Sequence, residues 1–313
     1  DWKRASNLEI FQEHPVHLDF ELYYGCNFEC PQCVLQIPVE EIESSHPHAP
    51  HKRDKVISFE KFKEIIEDGV KHGLRSITLN RDNEPLQTRN IHDYIRYARD
   101  AGVLDVILLT NASMLTEKRS VELIESGLTK LYFSLDAIKP ETYKIVRKGG
   151  NFEQVMSNIL KFLEIQKSMC SPLPLTRVSF VKSKINQDEE TMFRDYWKDE
   201  VDLIAIQAFY NPAPGYSTYE MLNRDFQIDN NDLKTMGSCP QPYQRLTING
   251  DGSVHPCCLF EGLKIHCGNV HESSIRDIWI SKKMERLRKS VNDPVSCNQP
   301  QACQSCRKVV FGN

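Results

Sequence analysis

Short apolar strand patterns alternate with amphipathic helix patterns through the first two thirds of the chain, and this order constrains the fold more than any other feature. The first pattern runs from His17 to Tyr24, where apolar and charged residues alternate as in a strand. Five more strands are predicted at 76–80, 106–110, 131–135, 177–181 and 203–209, with helices between them at 58–73, 89–101, 116–124, 140–147, 151–167 and 187–198. Strands that alternate with helices form a parallel sheet with helical crossovers, so the sequence predicts an α/β fold.

Three cysteines, Cys26, Cys30 and Cys33, lie in the loop directly after the first predicted strand. Thiolates at this density usually hold a metal, because iron–sulfur clusters and zinc prefer sulfur ligands. A [4Fe–4S] cube takes four ligands, so three cysteines would leave one iron without a protein ligand. The alternative is a redox pair or a zinc site, whose fourth ligand would come from the histidines at 46, 48 and 51.

The C-x3-C-x2-C spacing after a first strand resembles the signature of the radical S-adenosylmethionine (SAM) enzymes. The resemblance implies a partial (β/α)6 barrel, related to the TIM barrel, in which the open iron binds the amino and carboxylate groups of SAM. It also implies cleavage of SAM to methionine and a 5′-deoxyadenosyl radical, which abstracts hydrogen from a substrate. An external electron donor such as a flavodoxin or a ferredoxin is the expected partner.

Other strand ends resemble the SAM-binding motifs of the same family. The second predicted strand leads to Asp82-Asn83-Glu84-Pro85, where the family usually has Gly-Gly-Glu-Pro. Thr110-Asn111 and Ser134-Leu135-Asp136 match the family's next two strand ends. Active sites of such barrels lie at the carboxyl ends of the strands. The resemblance therefore implies that the SAM contacts include Asn83, Glu84, Asn111, Ser134 and Asp136.

Three more residues are expected at SAM. Arg147 matches an arginine that binds the SAM carboxylate in several members, where a planar guanidinium pairs with a carboxylate. The residue before the last cysteine is usually an aromatic that touches the adenine, but here it is Gln32, whose backbone can still serve. Phe28 is expected to take the place of the missing ring.

A second group of cysteines occupies the C-terminal part of the chain. Seven of the eleven cysteines follow residue 238, namely Cys239, Cys257, Cys258, Cys267, Cys297, Cys303 and Cys306. Strands at 243–248 and 253–255 flank Asn249-Gly-Asp-Gly252, a strong hairpin signal, and a helix is predicted at 275–287. Four cysteines also make a structural zinc site, so zinc is the alternative to a cluster here.

This layout resembles the twitch domain, a shortened form of the SPASM domain of radical SAM enzymes, and most of all that of the 2-deoxy-scyllo-inosamine dehydrogenases of butirosin biosynthesis. The resemblance implies an auxiliary [4Fe–4S] cluster, the second in the chain, with Cys239, Cys257, Cys303 and Cys306 as ligands. Cys267 and Cys297 are candidates for a further cluster. Cys258, next to a ligand, is either a buried inert thiol or a hydrogen-atom donor to a substrate radical.

The length, charge and cysteine count of the chain limit its number of domains, its partners and its cellular compartment. A chain of 313 residues suggests about two domains, and we expect a lead-in at 1–16, the barrel at 17–212, a linker at 213–238 and the cluster domain at 239–313. A net charge of −4 without a basic patch argues against nucleic acid, and no apolar run is long enough for a membrane. An odd number of cysteines, clustered like metal ligands, indicates a reducing cytoplasm.

The leading functional hypothesis is oxidation of a small carbohydrate-like or aminocyclitol substrate with the help of the auxiliary cluster. The alternatives are epimerisation with Cys258 as hydrogen donor, modification of a peptide, or a non-catalytic iron–sulfur or zinc protein. With sixteen residues before the first strand, we do not expect the peptide-recognition domain that peptide-modifying members often carry, which favours a small carbohydrate-like substrate. Asp136, His255 and Glu261 are equal candidates for a general base.

Overall fold

The computed structural model describes residues 12–38, 40, 55–209, 222, 239–292, 299–304 and 306. Two compact units are each assembled from separate stretches of chain. The first unit contains residues 1–24, 37–81 and 225–313, and the second contains 25–36 and 82–224. These units do not follow the sequence-based boundaries of the barrel and the cluster domain, which stay a prediction.

The described residues contain strands β1 (His17–Phe20), β2 (Ser76–Thr78), β3 (Asp105–Thr110), β4 (Lys130–Ser134), β5 (Leu175–Lys182), β6 (Leu203–Ala208), β7 (Arg245–Ile248), β8 (Ser253–His255) and β9 (Gly268–Asn269). Their helices are α1 (Phe59–Lys71), α2 (Ile91–Ala101), α3 (Glu117–Glu125), α4 (Pro140–Val146), α5 (Phe152–Ser168), α6 (Glu190–Trp197), α7 (Gln241–Gln244), α8 (Ile275–Ile280) and α9 (Lys282–Asn292). Within the described ranges, no helix combines the length and the apolar character needed to cross a membrane.

The second unit contains four parallel strands in the order β6-β5-β4-β3, with helices between them along the chain. Alternate residues of each strand pack on those helices. Phe133 of β4 meets Phe162 of α5 with ring centroids 5.8 Å apart, and Phe180 of β5 meets Phe193 of α6 at 4.9 Å. Burying four aromatic rings in this layer stabilises the sheet. The predicted α/β architecture with parallel strands is confirmed.

The first unit has strand order β2-β1-β7-β8-β9, and β1 runs parallel to both of its neighbours. Leu18 lies opposite Leu246, and both side chains are fully buried. Strands β7 and β8 form the predicted antiparallel hairpin, in which the Gly252 N–H donates to the Asn249 carbonyl at 2.9 Å. A left-handed φ of 83° at the end of this turn favours glycine. The C-terminal hairpin thus joins its sheet through the first strand of the chain.

Several sequence-based boundaries are wrong, two of them in ways that change an element. The first strand ends at Phe20 and not at Tyr24. The single helix predicted over 275–287 is two helices, because Ser281 has an extended backbone with φ −60° and ψ 153°. Its N–H closes α8 on the Ile278 carbonyl, and its hydroxyl accepts a hydrogen bond from the Met284 N–H at 3.3 Å, which opens α9. Serine favours such an N-cap, and the helical pattern of apolar residues hid this signal.

Candidate functional site

The loop between β1 and α1 holds the three cysteines of the first motif, all within the second unit. Cys30 is buried, whereas Cys26 and Cys33 are half-buried. The Cys26 Sγ accepts hydrogen bonds from the Phe28 N–H at 3.4 Å and from the Asn111 side-chain amide at 3.8 Å. Cys26 raises the pKa of Cys30, and both raise the pKa of Cys33, so the three thiols lie within electrostatic range of one another. The structure therefore brings the predicted ligands together.

The surroundings of these thiols disfavour free thiolates. Burial raises the pKa of Cys26, Cys30 and Cys33, and the Asp82 carboxylate raises that of Cys33 further. Only Arg147 pulls the pKa of Cys30 in the opposite direction to any extent, through its charge and a contact of 3.8 Å from Nη1 to Sγ. A bound metal supplies the positive charge that a buried thiolate needs. The site thus suits cysteines that ionise as ligands.

Asp136 and Arg147 form a buried ion pair beside this loop. Arg147 Nη2 lies 2.7 Å from Asp136 Oδ2, and their side chains are 13% and 0% exposed. Gln32 Nε2 and the Val181 N–H donate to the same carboxylate at 2.9 and 2.7 Å. Burial raises the pKa of Asp136, and the Arg147 guanidinium opposes that rise. A carboxylate that is enclosed and paired in this way is a poor general base, so the structure argues against that role for Asp136.

Several buried polar atoms at this place lack a hydrogen-bond partner among the described residues. They are Arg147 Nε, Gln32 Oε1 and the Tyr143 hydroxyl. Leaving such a group unpaired costs about 1–3 kcal/mol, so an absent ligand is indicated. The donor at Arg147 suits the carboxylate of SAM, and the acceptor at Gln32 suits an amino group. The residues present therefore fit SAM beside Cys30.

Sequence reasoning missed Tyr143. Its hydroxyl lies within electrostatic range of Cys30, Asp136 and Arg147, and burial raises its pKa well above the usual value for tyrosine. Tyr143 and Arg147 are four residues apart, and the Arg147 N–H donates to the Tyr143 carbonyl at 2.7 Å. Residues with this spacing share one helix face, and that spacing is the signal that identifies Tyr143.

The Glu84 side chain has a structural role at the end of β3. Its carboxylate accepts hydrogen bonds from the Thr110 hydroxyl at 2.7 Å, the Asn111 N–H at 2.7 Å and the Leu86 N–H at 3.0 Å. The side chain is buried, and burial raises its pKa. The carboxylate thus ties the turn after residue 84 to the end of β3. A contact between Glu84 and SAM stays a prediction.

Four other residues predicted to contact SAM have known surroundings in the structure, namely Asn83, Phe28, Asn111 and Ser134. Asn111 bridges the cysteine loop, donating to Asn27 Oδ1 at 3.0 Å as well as to Cys26, and Ser134 lies half-buried at the end of β4. Asn83 is buried. Phe28 is only 4% exposed, and its ring packs so closely that a Cβ on Gly150 would lie 2.6 Å from it. The ring therefore packs closely on its neighbours, and contact between Phe28 and the adenine of SAM stays a prediction.

The second cysteine group lies in the first unit. Cys257 interacts electrostatically with Cys239 and Cys306, and burial is the largest cause that raises its pKa. Gly262 packs directly on Cys257, where an added Cβ would overlap Sγ. Cys267 interacts electrostatically with Cys303, and burial raises the pKa of Cys267 to about 12. Three of the four predicted ligands are thus brought together, and the fourth, Cys303, lies next to the buried Cys267.

Within the described ranges, no three Cys, His, Asp or Glu side chains converge as the ligands of a single metal ion would. In a [4Fe–4S] cube each cysteine binds a different iron atom. Cys297 lies outside the described residues, as do the histidines at 46, 48 and 51.

Cys258 has charged neighbours in addition to the thiol of Cys257. Arg245 Nη1 lies 3.6 Å from its Sγ and 3.3 Å from Asp19 Oδ2. Burial and the Asp19 charge raise the pKa of Cys258 to about 11, against the effect of Arg245. The two adjacent cysteines are therefore different in kind, with Cys257 in the thiol group and Cys258 a protonated thiol beside an ion pair. His255 and Glu261, the other base candidates, are buried and hydrogen-bonded.

Asp19 is expected to make stability depend on acid pH. Its carboxylate contacts His17 Nε2 at 2.9 Å as well as Arg245. Burial alone would raise its pKa, but His17 and Arg245 together outweigh burial, so the pKa is lowered. A lowered pKa adds stability that is present above the unfolded value of about 3.9 and is lost as pH falls through the folded value.

The measurement is the midpoint of urea unfolding of the wild type and D19N between pH 7 and pH 2.5. We expect D19N to be less stable at pH 7 by at least about 2 kcal/mol, because it leaves Arg245 buried without its carboxylate. The difference should shrink below about pH 4. A difference that is constant over this range would contradict the assigned ionisation of Asp19.

Comparison with known families gives two matches. Residues 20–176 match the sequence model of the radical SAM superfamily, and residues 239–307 match the SPASM model, described as an iron–sulfur cluster-binding domain. The first match includes Cys26, Cys30 and Cys33, and the second runs from Cys239 through Cys306.

Curated relatives carry the name GTP 3′,8-cyclase. A probable GTP 3′,8-cyclase of Methanococcus maripaludis (strain C5) is 30% identical over 189 residues, which cover 60% of this chain and 57% of the relative. The GTP 3′,8-cyclase of Limosilactobacillus fermentum is 30% identical over 180 residues, covering 56% and 48%. The chain thus spans about half the length of the curated relatives it matches.

Solved structures with the same fold include three kinds of protein. Streptococcus suis SuiB bound to precursor peptide SuiA has a TM-score of 0.65 at 14% identity, covering 90% of this chain and 67% of SuiB. Native anSMEcpe with bound AdoMet, which is SAM, scores 0.63 at 16% identity, with coverage of 95% and 96%. BtrN in complex with AdoMet and 2-DOIA scores 0.50 at 17%, with 88% and 87%. At these identities the likeness shows the fold alone, and the relatives' names do not favour an aminocyclitol dehydrogenase.

Proposed function

The chain belongs to the radical SAM superfamily and carries a SPASM domain, and from that premise we propose that it oxidises a small carbohydrate-like or aminocyclitol substrate. Its cofactors are a [4Fe–4S] cluster and SAM, with additional iron–sulfur in the SPASM domain. When bound, these groups supply a 5′-deoxyadenosyl radical that abstracts hydrogen. A flavodoxin or ferredoxin is the proposed electron donor.

The set of unpaired atoms beside Cys30 is the observation that carries the proposal. Arg147 uses Nη1 on the Cys30 thiol and Nη2 on Asp136, and its Nε is left for a ligand. Gln32 likewise donates to Asp136 and keeps its carbonyl oxygen unpaired. Because Asp136 fixes both side chains, the ligand meets groups that need no further ordering. Preorganised contacts of this kind orient a substrate at a reacting centre.

The second cysteine group supports oxidation as the outcome. Oxidising a carbon that bears a hydroxyl or an amine removes one electron with the abstracted hydrogen atom and a second electron afterwards. Iron–sulfur clusters are one-electron acceptors, so a second cluster in the same chain suits this chemistry. Cys239, Cys257, Cys303 and Cys306 are the residues proposed to hold it.

Epimerisation is a second candidate, and Cys258 is the observation that favours it. Only a protonated thiol can donate a hydrogen atom to a substrate radical. Burial holds the pKa of Cys258 at about 11, so the thiol stays protonated at neutral pH. C258A is expected to abolish product of an epimerase and to leave the product of an oxidase unchanged.

The names of the relatives suggest other substrates. A nucleotide is favoured by the GTP 3′,8-cyclases, and a peptide by the complex of SuiB with its precursor peptide. Both belong in the substrate panel. Mass spectrometry separates the outcomes, since oxidation removes two hydrogen atoms from the substrate, whereas epimerisation leaves its mass unchanged.

The test is iron and sulfide content after anaerobic reconstitution, together with SAM cleavage under dithionite, in the wild type and in Cys26/Cys30/Cys33→Ala. We expect about eight irons to fall to about four, and formation of 5′-deoxyadenosine to stop. Retained cleavage in the triple variant would contradict the proposal. Absence of cleavage in the wild type, with zinc in the C-terminal site, would leave the non-catalytic alternative.

A further inference from the structure

The four parallel strands of the second unit have a face opposite to the one on which the described helices α5 and α6 pack. Phe133 and Phe180 point to the helices, as their contacts with Phe162 and Phe193 show. Because side chains alternate along a strand, Tyr132 of β4 and Arg177 of β5 point to the opposite face. The register places these two residues directly side by side, and both are half-buried.

The Arg177 side chain has no anionic partner among the described residues. Its guanidinium stacks over the Tyr132 ring at 3.7 Å from the centroid. It forms no hydrogen bond or ion pair with any described residue, and its Nε is buried without a partner. Burial is the main cause that lowers its pKa, and Tyr132 is the one group that opposes this effect.

A second cation on the same face, Lys130, has a carboxylate partner, unlike Arg177. Lys130, two residues before Tyr132 on β4, pairs with Asp105 at 2.5 Å. A partly buried cation normally finds such a carboxylate, because leaving a charge unpaired away from water is costly. An aromatic face offsets part of that cost through its quadrupole. It also holds the guanidinium flat, with its edge donors available for a planar anion.

The position of Arg177 relative to the SAM motifs adds a second observation. Ser134, which lies at the strand end predicted to contact SAM, is opposite Ser179. Arg177 and Tyr132 form the next layer on this face, two residues earlier on each strand, or about 7 Å away. The Ser179 hydroxyl is also buried without a partner among the described residues. Unpaired polar groups therefore continue from the SAM motifs down to Arg177.

We propose that Arg177, held by Tyr132, binds an anionic group of the substrate, either a carboxylate or a phosphate. This inference rests on the proposed function and narrows it, since the substrate becomes an acidic or phosphorylated carbohydrate-like molecule instead of an aminocyclitol without an anionic group. A guanidinium group binds either anion through two parallel hydrogen bonds, so the geometry indicates an anionic group without distinguishing a carboxylate from a phosphate. Arg177 is then a specificity-determining residue.

The test measures binding of inorganic phosphate and of acetate to the anaerobically reconstituted protein by isothermal titration calorimetry. The variants are R177Q, R177K and Tyr132→Leu, and K130Q is the matched control on the same face. We expect R177Q to weaken binding of the preferred anion at least about tenfold, R177K to weaken it less, and K130Q to leave it unchanged. Preference for phosphate points to a phosphorylated substrate, and preference for acetate to a carboxylic acid.

Equal binding in the wild type and R177Q, or binding of neither anion by the wild type, would overturn the proposal. R177K keeps the charge at the site and serves the same comparison if R177Q fails to fold. SAM cleavage without substrate is followed in the same samples. Cleavage that persists without Arg177-dependent anion binding defeats this subsite alone, whereas anion binding without cleavage defeats the proposed function alone.

Discussion

Replacing Arg147 with leucine is expected to lower the free energy of unfolding by about 3–5 kcal/mol, the cost of removing one partner from a buried ion pair. The change leaves the Asp136 carboxylate, fully buried, with only Gln32 and a backbone N–H as donors. It also removes the field that opposes the rise in the pKa of Asp136, so this carboxyl should become harder to ionise. Urea unfolding of the cluster-free protein measures the effect.

A double variant separates charge from packing. D136N/R147L removes both charges, so part of the lost stability should return relative to R147L alone. Lys148 provides the matched control, because it pairs with Glu29 at 2.9 Å in the adjacent position with both side chains exposed. K148L should change stability by less than about 1 kcal/mol. Equal losses in R147L and K148L would mean that the Asp136 pair contributes no more than a surface pair.

Much of this site follows from the sequence, because parallel order brings strand ends to one edge of a sheet. Asn111 meets the cysteine loop and Asp136 lies by Arg147, as the motifs implied. The hydrogen-bond partners of these residues could not be predicted from the sequence, because they depend on the directions of the side chains. Gln32 replaces an aromatic in the family pattern, and only the structure shows that its amide holds Asp136. The close packing of the Phe28 ring at Gly150 likewise had no signal in the sequence, because it depends on side-chain direction.

The first unit was harder to predict, because its defining contact is long-range. Each half of the β7–β8 hairpin is readable from local turn chemistry. The parallel pairing of β7 with β1 has no local signal, and it places Arg245 beside Asp19 from the opposite end of the chain. That pairing also explains why Cys257 and Cys258, adjacent in sequence, have unlike surroundings. One faces thiols, and the other faces this ion pair.

Replacing Gly262 with alanine is expected to remove the auxiliary cluster while sparing the first one. Gly262 lies in the 3-10 turn Phe260–Lys264, and a Cβ there would overlap Cys257 Sγ and approach the Cys257 carbonyl oxygen to 3.1 Å. The packed backbone around Cys257 has little room to move away from the added methyl group. The Cys257 Sγ must therefore shift instead, away from its place near Cys239 and Cys306. Iron content after reconstitution should fall from about eight to about four per chain.

Two comparisons distinguish loss of a ligand from general destabilisation. L263A truncates the next residue of the same turn, which is buried, and costs about 2–5 kcal/mol without touching Cys257. It should keep about eight irons, whereas C257A should match G262A at about four. SAM cleavage under dithionite should survive in all three variants, because Cys26, Cys30 and Cys33 are unaltered. About eight irons in G262A but about four in C257A would show that Cys257 moves without losing its iron. About eight irons in both variants would show that Cys257 binds none, and the ligand set proposed for the second cluster would then need another cysteine.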